Sequence, residues 1–143
     1  MNWIDRVLMK LVPFFVIRNA VGSPYMCRYK LLRLPFFKVY LHHILRSDED
    51  PELHDHPWDF VSVILWKGYL EIVPAGPRRF RAGDVVRHRA QDSHRLILDA
   101  PAWTLVFVTG KKRLWGFYTD QGWMSYMDFL DLKYGKGNWG TSS

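Results

Sequence analysis

The chain has a single cysteine, Cys27, in 143 residues. A lone thiol cannot close an internal disulfide, and no neighbouring pattern marks Cys27 as a nucleophile, so cysteine usage suits a reducing, cytoplasmic setting. No apolar run approaches the roughly 20 residues that a membrane-spanning helix needs. The stretch from Leu11 to Ile17 is apolar, but Asp5, Arg6 and Lys10 precede it and no small-residue cleavage site follows. It therefore reads as part of a helix and arm rather than as a signal peptide. A Gly-rich phosphate loop, a Gly-x-Ser-x-Gly elbow and paired-cysteine zinc motifs are all missing, which removes the chemistries they carry. There is no internal repeat and no linker. One domain is expected, and its 48% hydrophobic content is enough for a packed core.

Positive charge is in excess, at +6, and it clusters in Arg78-Arg79-Phe80-Arg81, Arg87-His88-Arg89 and Lys111-Lys112-Arg113. The clusters lack the aromatic interleaving of single-strand binders, which argues against a nucleic-acid partner. Solvated strand faces, or a site for a small anion, account for them better. Seven tryptophans in so short a chain point to an aromatic-lined interior as well as to ordinary packing.

The N-terminus reads as a helix capped by Asn2, with Asp5 at the third helical position and Pro13 as its stop. Ile4, Val7, Leu8 and Leu11 recur at helical spacing and give one apolar face. Short strands with turn signals follow, at 38–45, 58–66, 68–73, 79–81, 85–88, 94–98, 104–109 and 114–118. Such spacing belongs to a sandwich or barrel. Tyr126 to Lys133 has helical character, with Thr119 or Asp120 near its start and Gly135 just past its end, and a second helix is expected within 123–134. The tail 135–143 is rich in Gly, Asn and Ser, and its end is expected to be mobile.

The most informative stretch is Leu53-His54-Asp55-His56-Pro57-Trp58-Asp59-Phe60. Side chains two apart on a strand point the same way, so His54 and His56 can chelate one metal ion once a third ligand arrives. Downstream come a strand ending at Lys67-Gly68-Tyr69, a Gly83-Asp84-Val85-Val86 turn, and then His94. This order resembles that of the cupins. The usual first cupin motif is His-x-His, then Glu, then Gly; here His54, His56 and Gly68 match, and the Glu position falls on Phe60 or Val61. Of the second motif, Gly83, Asp84 and His94 match, while Arg89, Gln91 and Leu98 stand where Pro, Gly and Asn would be. The chain is more closely similar to small cupin-like proteins of bacteria and phages. That resemblance rests on His-Asp-His-Pro-Trp-Asp-Phe, on Gly68-Tyr69-Leu70-Glu71, and on Trp115-Gly116-Phe117 ahead of Gly122-Trp123.

The resemblance implies an all-β double-stranded β-helix with short N- and C-terminal helices. Its parts would be a helix and arm over 1–22, a barrel over 36–118, the helix over 123–134 and the tail. It also implies a divalent metal on His54, His56 and His94, with Fe(II) first and Zn, Ni or Mn as alternatives. The three-His set resembles that of thiol dioxygenases and points to a dioxygenase-like oxidoreductase acting on a small molecule. Around that site His42, Asp59, Glu71, His88 and Arg95 are candidates for the cavity wall or for support behind the ligands. On a regular strand Asp59 faces away from the metal, so structural hydrogen bonding is expected of it. The alternative is a non-catalytic barrel that holds a nucleotide, a sugar phosphate or another small anion through Arg87, Arg89 or Arg95, because Arg forks match such groups. Either protein would be a monomer or a homodimer. Phe14, Phe15, Phe36 and Phe37 are expected to seal the barrel base or to meet a partner subunit.

Overall fold

A computed structural model describes residues 1–139; the end of the expected tail, 140–143, lies outside them. The elements in chain order are helix α1 (Trp3–Leu11), strands β1 (Phe14–Arg18), β2 (Pro24–Arg33), β3 (Phe37–Ile44), β4 (Leu53–His54), β5 (Phe60–Trp66), β6 (Gly68–Val73), β7 (Gly76–Arg81), β8 (Val85–His88), β9 (Arg95–Ile97), β10 (Ala102–Thr109), β11 (Gly116–Thr119) and β12 (Gly122–Ser125), and helix α2 (Tyr126–Tyr134). All pairings between named strands are antiparallel. One sheet has the order β1-β2-β3-β10-β5-β8; two three-stranded sheets have the orders β12-β11-β4 and β7-β6-β9. A bridge between His54 and His94, just outside β9, joins the two smaller sheets into the second layer. This is the double-stranded β-helix with two flanking helices.

The large sheet begins earlier than the expected barrel span of 36–118. The arm after α1 is strand β1, and β2 is ten residues long and pairs with β3 along most of its length. The basic composition of Pro24–Arg33 hid this strand: its two faces mix apolar and cationic residues, so hydrophobic alternation is weak. The C-terminal boundary also moves. Residues 116–125 form the β11–β12 hairpin, so 123–125 are strand rather than helix, and α2 starts at Tyr126, where the stretch of helical character begins and the Ser125 hydroxyl accepts from the Asp128 backbone N–H at 3.2 Å. Gly135 ends the helix as expected.

Helix α1 has the expected capping box between Asn2 and Asp5. Its docking does not follow the single apolar face expected from Ile4, Val7, Leu8 and Leu11. Leu8 and Met9 pack on Val16, Cys27 and Tyr29, whereas Trp3, Val7 and Leu11 are exposed. The fully buried residue of the helix is Asp5, which accepts from the Tyr29 hydroxyl and contacts His43 Nδ1 at 2.7 Å. His43 in turn stacks on Trp103, with ring centroids 4.0 Å apart. The strap over this outer sheet face is thus as much polar as apolar. Of the four phenylalanines, Phe37 stacks on Phe107, Phe15 is half-buried, and Phe14 and Phe36 are exposed. No helix among the described residues is long and apolar enough to cross a membrane.

Candidate metal centre

The large sheet turns one face inward, and its register decides what that face presents. Arg28 pairs with His42, and His42 with Thr104, so these three side chains form a polar row across β2, β3 and β10. Ser62 lies in the neighbouring row, opposite Val106. Above the row is a cavity of about 790 Å³, walled otherwise by such residues as Met26, Ile44, Trp58, Phe60, Tyr69 and Phe117. His54, His56 and His94 line the same cavity.

Strand β4 is short because it is gripped on both sides. His54 exchanges both backbone hydrogen bonds with His94, at 3.0 and 2.9 Å, and pairs across β11 with Phe117. The His56 amide donates to the Ala90 carbonyl at 2.9 Å. These bonds bring the three histidines together: one ligand nitrogen from each lies within 4.8 Å of the others. Burial, aided by the positive charges of neighbouring groups, pushes His56 well below an ordinary histidine. Burial likewise pushes His54 down to about 4, although Asp48 opposes the shift. Both rings are neutral at pH 7, which leaves a lone pair on each for a metal.

His94 is held from behind. Its Nδ1 donates to Glu71 Oε2 at 2.8 Å, which fixes the tautomer and leaves Nε2 free. His88 donates through Nε2 to the same carboxylate oxygen, also at 2.8 Å, and Arg78 holds Oε1. Glu71 is fully buried; burial raises its pKa, but hydrogen bonds from His88 and His94 win and hold it below the usual carboxylate range. Glu71, His88 and His94 form a second cluster of suitable atoms within 4.8 Å. Its carboxylate oxygens are already occupied by three donors, so it supports a metal ligand rather than competing as a site.

The ring of His56 offers the test of fit. Its Nδ1 is buried without a hydrogen-bond partner among the described residues. The His54 ring has only Asp48, 3.9 Å from Nδ1, beyond hydrogen-bond range. Buried polar nitrogens left open in one cluster of three imidazoles suit a divalent cation.

The remaining candidates fall into place around this centre. His42 accepts from Arg28 Nε at 3.0 Å and lines the cavity; burial pushes its pKa well down. Asp59 points away, as strand geometry requires, with Oδ1 accepting from the Ala90 amide at 2.8 Å and Oδ2 paired with Lys112 at 2.5 Å. His88 lies behind Glu71 rather than in the cavity. Arg95 is not in the wall either; it donates to the Asp48 carbonyl at 3.4 Å. Nor do Arg87 and Arg89 enter the cavity. Arg87 lines a separate, outer groove of about 600 Å³, and the arginine in the polar row is Arg28. Arg28 carries no signal in the sequence, because the mixed apolar and cationic faces of Pro24–Arg33 do not mark a strand. The position of the missing cupin Glu is taken by Phe60, whose ring packs 4.6 Å from that of His56. The buried carboxylate comes instead from β6, where Glu71 follows Gly68 by three residues.

No protein-family model matches the sequence, and no curated protein matches it. Solved structures do match. The polyketide cyclase RemF from Streptomyces resistomycificus superposes with a TM-score of 0.64 at 13% identity, over 87% of this chain and 88% of that one. A putative mannose-6-phosphate isomerase from Ralstonia eutropha gives 0.56 at 20% identity, over 72% and 94%. A sugar phosphate isomerase of the cupin superfamily from Silicibacter pomeroyi gives 0.56 at 15% identity, over 81% and 88%. Identities this low speak to the fold alone, and the fold is that of the cupins.

Proposed function

We propose that this protein is a metal-dependent cupin enzyme acting on a small molecule held in the inner cavity. His54, His56 and His94 would hold one divalent metal, Fe(II) first among Zn, Ni and Mn. What carries this reading is the convergence of one ligand nitrogen from each histidine within 4.8 Å at the cavity wall, with the buried Nδ1 of His56 left without a partner among the described residues. Three protein ligands leave coordination positions open, as catalytic sites do. A metal there would polarise a substrate oxygen or, as Fe(II), support dioxygenase-type oxidation.

The chain's own groups have separable tasks. Glu71 keeps the His94 proton on Nδ1 and so orients its ring. Phe60, Trp58 and Phe117 limit water around the centre. The Ser62 and Thr104 hydroxyls line the cavity and offer donors and acceptors to a bound molecule. His42, with its Nε2 lone pair committed to Arg28, carries its proton on Nδ1.

Metal analysis of protein purified without chelator tests the reading. The wild type should carry stoichiometric metal, His56→Ala should lose it, and His88→Ala should keep most of it. Negligible metal in the wild type would favour a metal-free binding barrel. Loss in His88→Ala with retention in His56→Ala would move the site to the Glu71 cluster.

A further inference from the structure

Arg28 is the cation of the polar row, and it has no carboxylate partner among the described residues. Its Nε donates to His42, and its guanidinium lies over the rings of Tyr40 and Trp58, 4.6 and 5.5 Å from their centroids. The other cations on this cavity are engaged or solvated: Arg113 pairs with Asp55 at 2.5 Å, Arg18 donates to the Gly22 carbonyl at 3.2 Å, and Lys111 is exposed to solvent. The remaining carboxylates of the lining are turned to other partners: Asp48 accepts from the Tyr25 hydroxyl and the Leu96 amide, Asp50 pairs with Lys133 at 2.8 Å, and Glu49 is exposed. A charge against the aromatic wall of a cavity calls for a counter-charge, and none of the described residues supplies one to Arg28.

We infer that Arg28 is the anion subsite of the cavity, and that the molecule bound there is a small organic carboxylate with a flat, apolar body. This deepens the proposed function by naming its substrate class, and it rests on that reading only for the chemistry that follows binding. Nε is committed to His42, so the two terminal nitrogens remain, and they present parallel N–H groups of the spacing that a carboxylate accepts. One guanidinium neutralises one carboxylate. A phosphate dianion would keep an uncompensated negative charge in the same apolar space. Tyr40, Trp58 and the bond to His42 hold the guanidinium in place, so little conformational freedom is lost when the anion binds. The remaining wall, including Phe60, Tyr69 and Phe117, is suited to a ring or a branched chain. Arg28 and His56 line the same cavity, so the anion would bind in the space that the proposed metal ligands face.

Intrinsic tryptophan fluorescence can follow binding, since Trp58 and Trp115 line the cavity. The full-length chain is titrated with benzoate, with its neutral counterpart benzamide and with glucose 6-phosphate, once with chelator and once after loading with Fe(II) or Ni(II). Benzoate should bind at least about tenfold more tightly than benzamide, and Arg28→Met should abolish that preference. Arg28→Lys should restore part of it, which guards against misfolding of the Met variant; circular dichroism checks both variants. Equal binding of acid and amide, no binding of either, an unchanged preference in Arg28→Met, or tighter binding of the sugar phosphate would each overturn the inference. The chelated arm separates the two ideas. A preference for benzoate that persists in protein unable to take up metal leaves Arg28 standing while the metal reading falls.

Discussion

Asp55 accepts a hydrogen bond from the Trp123 indole at 2.9 Å, on the side of the chain opposite the rings of His54 and His56. Its other oxygen accepts from the Gly116 amide at 2.7 Å, and the carboxylate is fully buried beside Arg113. The residue between the two histidines therefore ties β4 to the β11–β12 hairpin. Asp55→Ala should cost about 3 kcal/mol, because it leaves Arg113 and two donors without an acceptor. Denaturant unfolding measures this. Metal content should fall with it, since His54 and His56 lose their mooring. A variant as stable as the wild type would show that the hairpin docks by apolar packing alone.

Glu71→Gln should weaken metal affinity by about 10- to 100-fold while the chain stays folded. Three donors converge on this carboxylate, from His88, His94 and Arg78, and an amide has one oxygen to accept them. At least one partner must then face the NH₂ group, and His94 is free to change tautomer or rotate. Competition against a chelator of known affinity gives the number. Unchanged affinity would mean that packing alone orients His94.

His54, His56 and His94 were legible as a group because motif order and strand alternation both survive in the sequence. Glu71 was legible only as one of several candidates for the cavity wall or for support behind the ligands; its task was not, because the usual motif places the carboxylate at Phe60 or Val61, whereas Glu71 arrives from the next strand and works behind His94. Arg28 was hidden for a different reason. Its strand carries Arg28 and Lys30 on one face and Cys27 and Tyr29 on the other, so neither face reads as apolar, and only pairing with His42 shows which one is inside. The same limit placed Arg87, Arg89 and Arg95 near the cavity by composition, when strand register takes them elsewhere.

Gly68→Ala should be among the most damaging single substitutions outside the centre. The glycine has φ of 150°, and a Cβ there would come within 2.1 Å of the Phe80 carbonyl oxygen. That oxygen belongs to strand β7, paired with β6, and cannot withdraw without breaking the ladder that carries Glu71. Overpacking and backbone strain together should cost about 3 kcal/mol. A drop of less than about 1 kcal/mol in urea unfolding would show that the hairpin shifts easily.

Acid should loosen the metal-free protein before its carboxylates titrate. Burial holds His42, His43, His54 and His56 below an ordinary histidine, so between pH 6.5 and their native pKa values the unfolded chain binds more protons than the native one. Stability then rises with pH across that window. It is fully present above about 6.5 and is lost as pH falls through the depressed values. For His54, at about 4, the loss between pH 6.5 and 5 is on the order of 2 kcal/mol. Urea midpoints at pH 7.5, 6 and 5 in the presence of chelator should fall in that order. The drop should shrink in His54→Phe, which removes the titrating ring but keeps an aromatic one. Equal midpoints at pH 7.5 and 5 would mean that these imidazoles take up protons in the folded state as readily as in water.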